Sequence, residues 1–263
     1  APWGRTGRGT GRPNPKGDWN SYYKFMNNQL TELLTNYGKI GAIWFDGWWD
    51  QDQNPDFDWQ LPGQYAMIHR LQPACLVGNN HHQAPFAGED IQIFERDLPG
   101  ENRAGLSGQD ISALPLETCE TMNGMWGYKI KDQNYKSVSE LVRLLVRAAG
   151  KGANLLMNIG PQPNGELPAA ALERLKGMGA WMDKNGETIY GTDGMGIYAD
   201  WGTVTRKGNT LFMHILADVM PEVISIPLSQ KVTKVSLYED GAPVNYQYNS
   251  KMKCLTVQTS GLK

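Results

Sequence analysis

Two carboxylates, Asp46 and Glu95, stand at the ends of short apolar runs that have the composition of buried strands. Asp46 follows the run IGAIWF, and Glu95 ends the run IQIFE. A carboxylate in such a place is costly to bury unless the protein uses it. Two carboxyl groups at one mouth of a domain suit glycoside cleavage, in which one acts as nucleophile or base and the other as acid. Strand-end carboxylates also cap helices, so both interpretations of the pair stay open at this point.

Strand and helix patterns alternate on either side of these carboxylates. Asp18 is placed to cap a helix that ends at Gly38, and Ser137 and Glu140 have the spacing of a capping box before a second amphipathic segment. Further helices are predicted at 62–71 and from Pro168 to Gly186, and strands at 40–46, 74–79, 91–95, within 115–124 and at 154–160. Continuous apolar strands that alternate with helices are typical of a parallel sheet covered by helices.

The fold class predicted from this order is α/β. We expect residues 1–192 to form a partial (β/α)-barrel, the C-terminal half of a TIM-like barrel, because several strands end in polar residues, as at a barrel's active-site face. Too few βα units are present for a complete barrel, so the front half is expected to be absent. Short alternating segments follow at 193–263 and predict a small antiparallel β-sandwich domain.

Several segments resemble the retaining α-L-fucosidases of glycoside hydrolase family 29. They are IWFDGWW, LKGMGAWMDKNGETIYGT, WGY at Trp126–Tyr128 and the block SVSELVRLLVRAAGKGANLLMNIGPQPNGELP. In that family a tryptophan, one further residue and an aspartate end a barrel strand, as Trp44, Phe45 and Asp46 do here. The resemblance covers roughly 19–192 and implies an exo-glycosidase that releases terminal α-L-fucose from oligosaccharides or glycoconjugates.

The resemblance also implies roles for the two carboxylates. Asp46 corresponds to the nucleophile, and Glu95 is the best match for the general acid/base of a double displacement with net retention. The first step calls for a raised pKa of Glu95, which a neighbouring Asp46 charge can supply. Three other glutamates compete for the acid/base role: Glu89, Glu101 and Glu117.

Four further side chains are candidates for substrate binding. Trp44 and Trp126 match aromatic positions of the family that pack against the sugar and its C6 methyl group. The adjacent His81 and His82 are predicted to hydrogen-bond the sugar or the leaving group, with a solvated loop as the alternative. Trp48 and Trp49 either line the rim of the site or pack within a loop. No metal or organic cofactor is implied.

Two other motifs favour plain loops. The acidic run Asp50–Asp58 lacks the glycine and glutamate of a calcium-binding loop, and Gly4–Arg12 has neither the preceding strand nor the lysine of a phosphate-binding loop. We expect the first to be a solvated loop and the second a βα loop at the barrel mouth.

Composition and charge limit the classes of partner that the chain is expected to bind. The chain has 263 residues, a net charge of −2 and three widely spaced cysteines, so neither a nucleic-acid or membrane partner nor a disulfide framework is indicated. The resemblance to this family favours a periplasmic or secreted location. The rival hypothesis is that the chain is a catalytically incomplete fragment or a non-catalytic fucose-binding subunit. In that case a second copy of the chain is expected to complete the barrel, because the exposed edges of an incomplete sheet tend to associate.

Overall fold

A computed structural model of the chain describes residues 18–51 and 56–262. The loops predicted at Gly4–Arg12 and within the acidic run at 52–55 lie outside the described residues, so they stay predictions. The helices are α1 Trp19–Asn36, α2 Leu61–Leu71, α3 Val138–Gly150 and α4 Ala169–Asn185. The strands are β1 Ala42–Phe45, β2 Leu76–Asn79, β3 Gln92–Glu95, β4 Leu116–Thr121, β5 Ala153–Asn158, β6 Asp193–Ala199, β7 Gly202–Lys207, β8 Thr210–Ile215, β9 Val223–Pro227, β10 Tyr246–Asn249 and β11 Cys254–Gln258.

The chain forms two compact units, of which the first ends at Glu120 and the second begins at Thr121. This division differs in place from the predicted domain boundary at 192, which remains a prediction. No helix among the described residues is both long and apolar enough to cross a membrane.

The first unit is built on parallel strands, as the alternation of strand and helix predicts. β1 pairs with β2, so that Phe45 lies opposite Asn79. β3 pairs in the same sense with β4, where Glu95 lies opposite Cys119, and a single parallel bridge joins Gly78 to Ile91. The carboxyl ends of these strands therefore meet at one edge.

Helices α1 and α2 cover one face of β1 and β2. The Asp18 side chain accepts a hydrogen bond from the Ser21 amide at 3.3 Å and caps α1, as predicted. The buried residues of this layer form one apolar cluster, which contains Leu30, Leu34, Tyr65, Ile68, Cys75 and Val77. This packing fixes β1 and β2, and with them the residues that follow each strand.

The second unit combines helices with antiparallel strands. The predicted capping box is present at the start of α3, where the Ser137 and Glu140 side chains each bond the other residue's backbone amide. Strands β6 to β11 form two antiparallel sheets, ordered β6-β7-β8 and β10-β11-β9. Their buried side chains share one cluster, which includes Val204, Ile224, Ile226 and Leu255. The antiparallel character predicted after Thr192 is confirmed.

Candidate active site

Three polar residues meet where β1, β2 and β3 end. Asp46 directly follows β1, Asn80 directly follows β2, and Glu95 is the last residue of β3. The parallel register carries Asp46 and Asn80 to the same level, and the Asn80 amide donates to the Phe45 carbonyl at 2.9 Å. The order and register of the strands therefore bring the backbone positions of these three residues close together.

The Asn80 side chain links the two predicted carboxylates. Its Nδ2 donates to Oε2 of Glu95 at 2.7 Å and lies 3.4 Å from Oδ1 of Asp46. Because both oxygens contact one nitrogen, they are separated by roughly 6 Å at most. Asn80 is buried, so this link is shielded from competing water. Asn80 is not among the predicted site residues, although its place directly after an apolar strand is a signal that the sequence carries.

Glu95 has a second donor on the same oxygen. Nε2 of His82 lies 3.0 Å from Oε2 of Glu95. This contact lowers the pKa of Glu95 below its ordinary value, and the hydrogen bond from Asn80 and the charges of His82 and Arg96 act in the same direction against the effect of burial. The raised pKa predicted for Glu95 in the first step is the opposite of this direction, because the hydrogen-bond donors outweigh burial.

His81 faces away from this pair and into a buried network. The Gln83 amide donates to its Nδ1 at 3.1 Å, so Nε2 carries the ring hydrogen and donates to both oxygens of Glu89 at 3.0 and 3.1 Å. Glu89 also accepts from the Tyr65 hydroxyl at 2.8 Å and the Phe86 amide at 3.0 Å. Both ring nitrogens of His81 are thus engaged, and its predicted contact with a sugar remains a prediction. Glu89, one of the three glutamates that compete for the acid/base role, has both carboxylate oxygens hydrogen-bonded within this network.

Trp44 lies on the same face of β1 as Asp46, since side chains alternate along a strand. Its indole Nε1 donates to Oε1 of Glu117 on β4 at 2.9 Å. Burial raises the pKa of Glu117, and the Trp44 hydrogen bond opposes that effect. The Trp44 side chain remains 38% exposed, so part of its ring is open to a ligand.

Glu101, the third glutamate that competes for the acid/base role, forms an ion pair with Arg103 at 3.5 Å.

Three carboxylates act on one buried thiol beneath this edge. The pKa of Cys119 is raised to about 12, first by burial and then by the negative charges of Glu95, Glu117 and Asp46. Cys119 is therefore a neutral thiol at physiological pH.

The remaining aromatic candidates have different surroundings. Trp48 stacks on Trp59 with ring centroids 5.4 Å apart and contacts Phe86 at 5.3 Å, next to a cavity of about 290 Å³ that adjoins Asp46. Trp48 therefore packs against other rings and, with Trp49, also lines the cavity beside Asp46, so both alternatives stay open for this pair. Trp126 belongs to the second unit, where its carbonyl accepts from Asn158 Nδ2 at 2.8 Å, and its contact with a sugar remains a prediction. Within 18–51 and 56–262, no group of three or more His, Cys, Asp or Glu side chains is arranged to hold a metal ion.

Comparisons with known proteins agree on one family. The sequence model of the Alpha-L-fucosidase family matches residues 6–187. The plasma alpha-L-fucosidase of Rattus norvegicus is 44% identical over 174 residues, which covers 62% of this chain and 35% of the rat protein. The alpha-L-fucosidase of Dictyostelium discoideum is 29% identical over 249 residues, which covers 89% of this chain and 52% of that protein. Among solved structures, alpha-L-fucosidase isoenzyme 1 from Paenibacillus thiaminolyticus matches with a TM-score of 0.74 at 33% identity, covering 98% of this chain and 62% of that one.

This chain therefore belongs to the alpha-L-fucosidase family. It spans between 35% and 62% of the length of the relatives just described.

Proposed function

We propose that this chain carries the catalytic carboxylates of a retaining exo-α-L-fucosidase that releases terminal α-L-fucose from oligosaccharides or glycoconjugates. Asp46 is the nucleophile and Glu95 the general acid/base. The observation that carries the proposal is the shared contact of both carboxylates with Nδ2 of Asn80. The resulting upper limit of roughly 6 Å lies below the roughly 6.5–9.5 Å of inverting glycosidases and is compatible with about 5–5.5 Å, the separation in retaining ones.

The reaction proceeds in two displacements. An oxygen of Asp46 attacks the anomeric carbon while the bond to the leaving oxygen breaks, and Glu95 transfers its proton to that oxygen. In the second step Glu95 takes a proton from water, the water oxygen attacks the anomeric carbon, and the ester bond to Asp46 breaks. The donors that lower the pKa of Glu95 favour its form as a base. A bound glycoside excludes water and shifts the balance towards the protonated acid.

Substrate contacts and architecture form part of the same proposal. Trp44 and Trp126 offer apolar ring surface to the sugar and its C6 methyl group, and His82 lies beside Glu95 where the leaving group departs. The parallel strands β1 to β4 belong to a partial (β/α)-barrel, and the Trp44–Glu117 bond across one face supports a concave surface. Remaining sugar contacts come from outside this chain, for instance from a second copy that completes the barrel.

Glu117 is the second candidate for the acid role, because burial raises its pKa and it lies against Trp44. Azide distinguishes a variant that lacks the acid/base from one that lacks the nucleophile, and so shows which glutamate has the acid/base role. In a retaining enzyme that lacks its acid/base, azide attacks the glycosyl-enzyme intermediate and gives a fucosyl azide of retained α configuration. In a variant that lacks its nucleophile, azide attacks the substrate directly and gives the inverted β product.

The test measures hydrolysis of 4-nitrophenyl α-L-fucoside, with and without azide, by the whole chain and by Asp46→Ala, Glu95→Gln and Glu117→Gln. His69→Gln serves as a matched control, since His69 pairs with Asp90 at 2.9 Å outside the site. We expect turnover to disappear in Asp46→Ala, and only Glu95→Gln to yield the α-azide. The α-azide from Glu117→Gln instead would move the acid role to Glu117. A folded chain without turnover would establish the alternative, a catalytically incomplete chain that needs a partner.

A further inference from the structure

We propose that Asn80 and His82 form a two-donor clamp on Oε2 of Glu95, which reserves Oε1 of the same carboxyl for the proton delivered to the leaving group. The clamp consists of these two side chains only. It rests on the proposed role of Glu95 and assigns His82 to the positioning of that residue rather than to the sugar.

The first argument is that both donors select the same oxygen. Asn80 Nδ2 lies 2.7 Å and His82 Nε2 lies 3.0 Å from Oε2, and within the described residues no hydrogen bond to Oε1 is present. An oxygen that accepts two N–H donors has no convenient lone pair left for a proton. When Glu95 is protonated, the proton therefore resides on Oε1. Two donors at different angles also fix the rotation of the carboxyl plane, which orients Oε1.

The second argument is the backbone conformation that delivers His82. His82 has φ 61°, in the left-handed region that non-glycine residues rarely adopt. The preceding residue holds the turn, because His81 is buried and bonded to Glu89 and to the Gln83 amide. The adjacent histidines thus have separate tasks: His81 anchors the turn, and His82 projects from it to Glu95.

The clamp acts among several charged or titratable groups. Those that face Glu95 are His82 after β2, Asp46 after β1, Cys119 on β4 and Arg96, the next residue in the chain. Asp46 and Glu95 share Asn80, so a change at Asn80 also affects the nucleophile, whereas His82 contacts Glu95. Cys119 stays neutral over the working pH range because its pKa is raised to about 12.

The first experiment needs no turnover. Ring ¹⁵N spectra of the whole chain, labelled at histidine, report the hydrogen bonding of each imidazole nitrogen in the wild type and in Glu95→Gln. We expect the ring ¹⁵N resonances of His82 to move when its negative partner is removed, while those of His69 beside Asp90 stay unchanged as an internal control. An unchanged His82 would overturn the clamp, whatever the catalytic activity of the chain.

The second experiment separates positioning from sugar binding. His82→Phe removes the donor, and His82→Gln keeps an N–H group at similar reach. For 4-methylphenyl α-L-fucoside, whose leaving group needs a proton, we expect kcat/KM of His82→Phe to fall about 100-fold, with most of the loss recovered in His82→Gln. For 2,4-dinitrophenyl α-L-fucoside, which departs without a proton, we expect a loss of less than about 5-fold and little change in KM.

The pH profile supplies a further readout. Loss of the His82 hydrogen bond raises the pKa of Glu95, so the basic limb of kcat/KM moves to higher pH in His82→Phe. Equal losses on both substrates with a raised KM would make His82 a sugar contact and overturn the proposal. If Glu95→Gln itself shows no dependence on the leaving group, the proposed function of Glu95 fails, and the ¹⁵N shifts still decide whether the clamp exists.

Discussion

The indole Nε1 of Trp44 donates a hydrogen bond to Oε1 of Glu117 at 2.9 Å, and joins side chains that lie 73 positions apart in the chain. The two residues come from β1 and β4, with β2 and β3 between them. Neighbouring strands stand about 4.8 Å apart, so the bond spans roughly 14 Å of sheet if the sheet is flat. Gly78 lies beside Trp44 in the register and has no side chain to block that path. The bond therefore connects the strand of the proposed nucleophile with a half-buried carboxyl whose pKa is raised.

Trp44→Phe removes this donor and leaves Glu117 in place. Since the Trp44 bond lowers the pKa of Glu117, its loss raises that pKa further above the ordinary value near 4.5. A carboxyl with a raised folded pKa contributes stability below its unfolded pKa and loses it as pH rises through the folded pKa. We expect the variant to lose about 1 kcal/mol at pH 7 and less at pH 4.5, as measured by urea unfolding.

A double variant checks the cause of that pH dependence. Glu117→Gln keeps an acceptor for the indole and removes the charge. In the Glu117→Gln background, the deficit caused by Trp44→Phe should be the same at pH 4.5 and pH 7. A deficit that still grows with pH would assign the effect to another group.

The site could be predicted from the sequence where it depends on local pattern. Apolar runs located the strands, and the residue at the end of each run located Asp46 and Glu95. The two histidines could not be distinguished in this way, because their environments depend on one left-handed residue at His82. The Trp44–Glu117 bond and the Asn80 link depend on which strands are neighbours and in which register, and no local pattern carries that information.

Gly150 tests how tightly α3 packs on β7 in the second unit. A Cβ on Gly150 would stand 2.6 Å from Cγ2 and 2.8 Å from Cβ of Thr203, and would also collide with the Thr203 hydroxyl. Thr203 is fully buried and donates to the Ile197 carbonyl at 2.9 Å, so it cannot give way freely. We expect Gly150→Ala to destabilise the chain by about 1 to 3 kcal/mol through overpacking, measured by urea unfolding.

Gly179 is the matched control, since it lies in the exposed interior of α4 with nothing within 4 Å of a Cβ. Gly179→Ala should stabilise the chain by up to about 1 kcal/mol, because alanine favours a helix over glycine. If both alanines stabilise the chain, the close contact of Gly150 with Thr203 is wrong.

His214 on β8 makes the second unit sensitive to acid. Its Nε2 lies 2.9 Å from the Thr205 hydroxyl, which donates its own hydrogen to the Thr188 carbonyl at 2.7 Å. The hydroxyl oxygen therefore accepts from the Nε2–H group of a neutral ring. Burial lowers the pKa of His214 from 6.5 to about 4, and the Thr188 carbonyl opposes this only in part. The folded chain thus keeps the ring neutral at a pH where the unfolded chain protonates it.

The sign of the stability change follows from this difference. Above pH 6.5 the ring is neutral in both states and its full contribution to stability is present. As pH falls from 6.5 towards 4, the unfolded state binds the proton first, and we expect a loss of about 2 to 3 kcal/mol from this group. His214→Gln keeps a donor for Thr205 and does not titrate. The variant should therefore lose less stability than the wild type between pH 7.5 and pH 4 in urea unfolding. A ring that titrates near 6.5 in the folded chain, followed by NMR, would contradict this prediction.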